Sequence, residues 1–347
     1  MKLNRFLLFL QSGPGDGERL RKIHGLQDHS DMTGEATVVK NSGSHFMLSM
    51  LPEWIPFPAV LKGRIRLKSN DSTNPVAVGD RVRFETGADN PREVTLTSPA
   101  LITEVLERKN HVIRKSTNLS RQSHVIAANI DMAFAVVTLY FPEVKLPFLD
   151  RMLVTCEVYG IPVTIIMNKV DLYRSEAPQA VQDFMDIYRK AGYRVIQTSA
   201  RTGEGVEELR ETCRGNVCLF SGESGVGKSS LIKALDPSLD PKVGKISIAH
   251  LQGKHTTSLY EMYRLASGGY VIDTPGLRGF GLVNLEKEEI ARYFPEMLKA
   301  AENCRFTPCT HTHEPGCAVK EAVENGEISP ERYSSYLGMI EDDKKFR

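Results

Sequence analysis

The stretch Gly222-Glu223-Ser224-Gly225-Val226-Gly227-Lys228-Ser229 has the spacing G-x-x-x-x-G-K-S, that of a loop that wraps phosphate. Cradling a diphosphate requires successive backbone N–H groups to converge. Glycines clear side chains from that path and accept positive φ. The helix expected to open at Lys228 adds unpaired N-terminal donors and a favourable dipole. Lys228 is expected to reach the β- and γ-phosphates, and the Ser229 hydroxyl to ligate Mg2+. Ser230 is counted with the same nucleotide-binding run. A glycine turn with a chance lysine is the competing reading; the apolar strand expected over 216–221 and the helix that follows weigh against it.

Four more stretches complete a nucleotide site. Asp273-Thr274-Pro275-Gly276 follows an apolar run and occupies the Walker B position. There Asp273 holds Mg2+ through water, and the Gly276 N–H can sense a γ-phosphate. Asn168-Lys169-x-Asp171 chooses the base. A carboxylate accepts from guanine N1–H and N2–H2, and adenine lacks both donors, so adenine would leave a buried charge unpaired. The Lys169 stem lies over the ring and Asn168 pins the loop. Thr198-Ser199-Ala200 follows the next strand, and Ala200 can offer its N–H to guanine O6. Thr256 and Thr257 lie in the polar stretch between the two Walker motifs; Thr257 is favoured as the residue that closes over Mg2+ and γ-phosphate.

A separate cluster reads Cys304-x4-Cys309-x-His311-x5-Cys317. Three thiolates and an imidazole form a closed tetrahedral zinc set of structural type. Free surface thiols beside a chance histidine are the alternative, and His313 is a second candidate ligand more readily read as a bystander. The other cysteines, Cys156, Cys213 and Cys218, show no disulfide framework, which points to a reducing, cytoplasmic setting.

The elements that must position these groups fall into segments. Residues 1–34 are polar and glycine-dotted and are expected to be poorly ordered, with Met32 a candidate native start. Residues 35–106 read as about five short strands separated by turn clusters, which suits an OB-fold barrel. Within it Lys62, Arg64, Arg66 and Lys68 alternate at period two, and Arg81 and Arg83 repeat the device. Such a ladder puts all its charge on one face, fit for RNA phosphates; a solvated outer face is the plainer alternative. Residues 107–285 alternate strand and helix, so a mostly parallel, doubly wound α/β sheet is expected, with ligands beyond the carboxyl ends of its strands. Residues 286–347 read as short helices around the Cys/His cluster.

The 347 residues carry a net charge of +1, 41% hydrophobic and 25% charged residues, as ordinary globular protein does. Charge is uneven: residues 1–127 hold 18 Lys and Arg against 13 Asp and Glu, and residues 286–347 hold 9 against 13. A polyanion surface is therefore expected near the front. No apolar run approaches the ~20 residues of a membrane span, and residues 6–10 behind Lys2 and Arg5 are too short for a signal peptide. No membrane association and a monomer are the expectations.

The motif order is unusual. The base-reading motifs precede the phosphate motifs, whereas guanine-nucleotide domains ordinarily place Walker A first. One sheet cut in a loop and rejoined elsewhere, a circular permutation, produces this order. The permuted order, Gly253-Lys254-His255-Thr256-Thr257, Asp273-Thr274-Pro275-Gly276 and the Cys/His spacing together resemble the ribosome small-subunit-dependent GTPase A family. Val78-Gly79-Asp80-Arg81-Val82 and Ile113-Arg114-Lys115-Ser116 are similar to it as well, and the likeness covers about residues 35–347.

The resemblance implies an OB-fold, a permuted GTPase domain, a zinc domain, and a role in late maturation of the small ribosomal subunit. GTP and GDP, the small subunit and its rRNA, one Zn2+ and Mg2+ with GTP are the ligands it implies. The family's water-positioning histidine falls on His255. Leu277, after the Asp273 motif, cannot hold water, so the histidine would have to arrive from the stretch 236–257. His255, Lys228 and Thr257 are then the catalytic candidates, with a merely supporting role for His255 as the alternative. Two other functions compete: a nucleotide-gated RNA-binding scaffold with negligible hydrolysis, and an unrelated P-loop enzyme, for which no second acid/base constellation is seen.

Overall fold

The computed structural model describes residues 32–63, 75–115, 123–241, 260–274 and 285–342. The first five strands are β1 (Met32–Asn41), β2 (His45–Ser49), β3 (Phe57–Leu61), β4 (Arg81–Thr86) and β5 (Ala100–Val105). They pair in the order β1-β2-β3-β5-β4, and β4 returns to β1, so the sheet closes into a barrel. The β3–β5 pairing is parallel and the others antiparallel, the topology of a five-stranded OB-type barrel. Alternation explains its core. In β4, Val82 and Phe84 point inward while Arg81 and Arg83 are exposed, and Phe84 meets Phe57 at a centroid distance of 5.0 Å.

Two boundaries differ from the sequence reading. β1 begins at Met32, so residues 32–34, assigned to a poorly ordered extension, pair with Thr86, Glu85 and Phe84. The rest of that extension lies outside the described residues. β3 ends at Leu61, so Lys62 stands beyond the strand on which the basic ladder was placed.

A hairpin, β6 (His111–Lys115) with β7 (Ser123–Ala128), leads into the α/β part. That part comprises β8 (Met132–Val137), α1 (Leu146–Val158), β9 (Val163–Met167), α2 (Pro178–Lys190), β10 (Arg194–Gln197), α3 (Val206–Cys213), β11 (Val217–Ser221), α4 (Lys228–Leu235), β12 (Tyr260–Arg264) and β13 (Tyr270–Asp273). Its strand order is β10-β9-β8-β11-β13-β12. All pairs are parallel except β12–β13. The inner strands are largely apolar because helices cover both faces; Val163-Thr164-Ile165-Ile166-Met167, with its one threonine buried, is an instance. β11, the strand before the phosphate loop, is central, between β8 and β13. The carboxyl ends of β9, β10, β11 and β13 therefore bring the described nucleotide motifs to one edge, although the chain reaches them in permuted order.

Barrel and α/β sheet are one surface. β1 pairs antiparallel with β12, Lys40 opposite Glu261 and Asn41 opposite Tyr260, and the Lys40 ammonium donates to Glu261 at 2.9 Å. The seam is packed as well. Val39 and Val78 belong to the same buried cluster as Ile130, Leu219 and Ile272, and Trp54 lies 5.7 Å from Tyr270.

The last segment folds into α5 (Lys287–Ile290), α6 (Pro295–Ala301), α7 (Ala318–Glu324) and α8 (Pro330–Asp342). Its core, including Phe294, Met297 and Tyr336, closes over Val154 of α1. At that junction Arg332 of α8 is 1% exposed. Its Nη1 donates to Asp150 Oδ1 of α1 at 2.7 Å and its Nε to Glu296 Oε1 of α6 at 2.7 Å. Tyr188 of α2 donates to the same Asp150 oxygen at 3.0 Å, and the guanidinium lies 4.5 Å from the Phe294 ring centroid. A buried charge is stable only when paired this fully. Among the described residues no helix is long and apolar enough to cross a membrane.

Candidate nucleotide site and metal centre

The phosphate loop runs from Ser221 at the end of β11 to Lys228 at the start of α4. Its glycines answer to sterics. A Cβ on Gly222 would stand 2.1 Å from the Val136 carbonyl oxygen, and one on Gly227 would stand 2.4 Å from Asn168 Nδ2. Gly227 also has φ +97° and caps α4, which a side chain would disfavour. The Lys228 ammonium folds back over the loop and donates to the carbonyls of Gly222 at 2.8 Å and Glu223 at 2.9 Å. The carbonyls of Gly225 and Val226 accept from Lys169 Nζ at 2.6 Å and Asn168 Nδ2 at 2.8 Å. The base-reading loop and the phosphate loop are thus tied backbone to side chain before any ligand arrives. Ser224 is exposed and Ser229 half-buried.

The carboxylate of Asp273, at the end of β13, is buried, and among the described residues its Oδ1 has no hydrogen-bond partner. Burial pushes the Asp273 carboxyl above its ordinary value and the Lys228 ammonium below its own, and each opposes the shift in the other. A buried acceptor without a donor, beside a loop of inward donors, fits a divalent cation riding on phosphate. Ser229 and Asp273 would hold such a Mg2+. Thr257, His255 and Gly276 lie outside the described residues.

The base side is a cavity of about 400 Å3 lined by Asn168, Lys169, Asp171, Ala200, Arg201 and Ser230, among others. Lys169 reaches its place through a left-handed backbone, φ +62°, and its Nζ also donates to Phe141 O at 2.7 Å. Asn168 is wholly buried; its Oδ1 accepts from Thr198 Oγ1 at 3.2 Å and from the Ala200 N–H at 3.3 Å. The Ala200 N–H expected to face guanine O6 therefore points at Asn168 here. Ser199 supports the turn, its Oγ accepting from Thr202 N at 3.1 Å. One residue was missed. The Arg201 guanidinium stands with Nη2 2.7 Å from Asp171 Oδ2, though without hydrogen-bond alignment. Its only sequence signal was its place directly after Thr-Ser-Ala.

The Cys/His cluster forms as its spacing predicts. The ligand atoms of Cys304, Cys309, His311 and Cys317 all lie within 4.8 Å of one another. His311 turns its Nδ1 to the sulfurs, 3.3 Å from Cys317 Sγ and 3.6 Å from Cys304 Sγ. Zinc bonds of ~2.3 Å to sulfur and ~2.0 Å to nitrogen at tetrahedral angles put those atoms about 3.5 Å apart, so the donor set fits zinc. Burial pushes the Cys309 thiol up to about 12, and the neighbouring thiols add to that, so three thiolates here call for a cation. Tyr333 and Tyr336 donate to the carbonyls of His311 and Thr310, each at 2.6 Å, and Glu314 accepts from the N–H groups of Thr310, Thr312 and His313. These bonds fix the loop. His313 is exposed and hydrogen-bonds Thr312 instead.

The basic face of the barrel departs from expectation. Arg81 Nη2 lies 2.7 Å from Glu35 Oε2, Arg83 Nη1 lies 2.7 Å from Glu104 Oε2, and Lys62 pairs with Glu85. Three basic residues meet three acids from neighbouring strands, so the described part of this face is electrically balanced. Arg64, Arg66 and Lys68 lie outside the described residues.

A family model described as RsgA GTPase matches residues 105–283. The small ribosomal subunit biogenesis GTPase RsgA of Bacteroides fragilis is 46% identical over 308 residues, covering 89% of this chain and 96% of its own. The protein of the same name from Flavobacterium psychrophilum is 44% identical over 317 residues, covering 91% and 92%. Among solved structures, YjeQ from Thermotoga maritima aligns with a TM-score of 0.70 at 33% identity, over 90% of this chain and 98% of that one. YloQ, titled a circularly permuted GTPase, aligns with a TM-score of 0.67 at 28% identity, over 92% and 98%.

Proposed function

The chain belongs to the RsgA GTPase family, and from that premise we propose that it hydrolyses GTP while docked on the small ribosomal subunit, late in that subunit's maturation, and then dissociates. The observation that carries this reading is the single edge at which the cavity lined by Asn168, Lys169 and Asp171, a phosphate loop and the Oδ1 of Asp273, without a partner among the described residues, meet. Asp171 selects guanine by taking its N1–H and N2–H2. Lys169 and Asn168 hold the base loop against the phosphate loop, so base binding and phosphate binding support one another. Lys228 exchanges its two loop carbonyls for phosphate oxygens. Ser229 and Asp273 hold Mg2+, which supplies charge neutralisation at the phosphates. Thr257 and His255 complete the site on the γ-phosphate side, His255 placing the attacking water.

One zinc ion on Cys304, Cys309, His311 and Cys317 ties the last domain together as a structural element. Contact with rRNA phosphate is assigned to the barrel, with Arg64, Arg66 and Lys68 as the carriers, since Lys62, Arg81 and Arg83 have acidic partners. A monomer working in the cytoplasm fits this role. GTP turnover measured with and without purified small subunits tests the reading. Turnover that rises with subunits supports it; turnover that stays negligible with them, while nucleotide still gates binding, replaces it with the scaffold reading.

A further inference from the structure

We propose that Arg201 is a built-in competitor for guanine, holding the base-reading carboxylate of Asp171 whenever the pocket is empty. The proposal rests on the guanine reading of this pocket. The Asp171 side chain is only 11% exposed, whereas that of Arg201 is 72% exposed, and Nη2 stands 2.7 Å from Oδ2. Both residues line the same cavity of about 400 Å3, with Asn168, Lys169 and Ala200. The chemistry of the occupant is telling. Guanine presents N1–H and N2–H2, a planar pair of donors on one amidine-like carbon. A guanidinium presents the same kind of planar donor pair. Guanine needs both carboxylate oxygens, so Arg201 must release Oδ2 when the base enters.

Nothing else holds the guanidinium: among the described residues Arg201 has no further ion pair or hydrogen bond from its side chain. Its turn is fixed without it, by the Thr202 N–H donating to Ser199 Oγ at 3.1 Å and the Ser199 N–H to Glu204 O at 3.0 Å. The arginine can therefore leave without disturbing the pocket. It also spares Asp171 from standing unpaired when the base departs, which lowers the affinity for a nucleotide that takes both of its oxygens.

The test is binding of fluorescently labelled GDP and IDP to the full chain and to Arg201→Ala and Arg201→Lys. An exposed pair of this kind weakens a competing ligand by about two- to fivefold, so Arg201→Ala should bind GDP tighter by that factor. The sign is diagnostic, because deleting a positive charge near a polyphosphate would otherwise weaken binding. IDP, which lacks the N2 amino group and needs only one carboxylate oxygen, can leave Oδ2 to Arg201 and should gain less. The gain should shrink at high salt, as an exposed pair is screened. Arg201→Lys, a charge without the planar fork, should fall between. Unchanged or weaker GDP binding by Arg201→Ala overturns the proposal, as does a gain equally large for IDP. Failure of the wild type to prefer GDP over ADP would instead overturn the guanine assignment itself.

Discussion

The nucleotide edge and the basic face of the barrel both present charged side chains at regular spacing, yet they differ in what those charges touch. At the edge, Asp273 is buried with an oxygen that none of the described residues satisfies, and Lys228 is buried on two carbonyls of its own loop. On the barrel, Arg81 and Arg83 are more than half exposed and each already meets a carboxylate. Burial makes an unsatisfied polar group expensive, so such a group reports a ligand. Exposure makes a charge cheap, so a run of charges reports little until its neighbours are known.

The largest effect expected on the buried side concerns the metal centre. Cys309→Ala should abolish stoichiometric zinc and lower the thermal transition strongly, because metal binding of order 10 kcal/mol is linked to folding of such sites. Metal analysis of protein purified without chelator checks the first part and scanning calorimetry the second. A variant that keeps one zinc and its transition would remove this centre from the comparison.

Next comes the buried arginine of α8. Arg332→Ala strands Asp150 and Glu296 without their cation, and should destabilise the chain by about 3–5 kcal/mol. Urea denaturation gives the value; a loss under about 1 kcal/mol would place this junction among the exposed pairs. Asp171→Asn follows. Replacing an acceptor by an amide removes two hydrogen bonds to a charged group, worth about 3 kcal/mol or more for GTP. Xanthine nucleotides, whose O2 accepts from the amide, should gain in compensation, and equilibrium binding of both nucleotides decides.

The smallest effect belongs to the barrel. Arg81→Ala with Arg83→Ala should change stability by no more than about 1 kcal/mol, as exposed pairs do. If this pair of changes also leaves small-subunit binding and its salt dependence unaltered, while Arg64→Glu with Arg66→Glu weakens both, the phosphate contact sits on the latter residues. Loss of binding in the first variant would restore the face to its simpler reading as a cationic ladder.

The same contrast explains what could be read in the sequence. The apolar strand expected over 216–221 is found at Val217–Ser221, and the described nucleotide motifs and the Cys/His set come together, because each is held by short-range sterics and ligand spacing. Gly222 and Gly227 are legible for that reason: their neighbours leave no room for a Cβ. The balance of the barrel face was not legible. Glu35 and Glu104 come from strands far away in the chain, and only cross-strand register brings them opposite Arg81 and Arg83. Arg332 was equally hidden, since its partners Glu296 and Asp150 are 36 and 182 residues away.

The seam between β1 and β12 has a consequence for synthesis. Its ion pair joins residues 221 positions apart. A chain emerging amino end first can close the barrel once β5 is complete, because the pairings that close it join only β1 to β5. The edge of β1 that receives β12 must then wait, unpaired, until the carboxyl half of the α/β part is made. Permutation lengthens the delay for ligand as well. The segment proposed to read guanine leaves the exit first and cannot be stabilised by nucleotide until the phosphate loop and Asp273 have followed. Early folding of this protein therefore proceeds without help from its own nucleotide, and the barrel is the part that must stand alone.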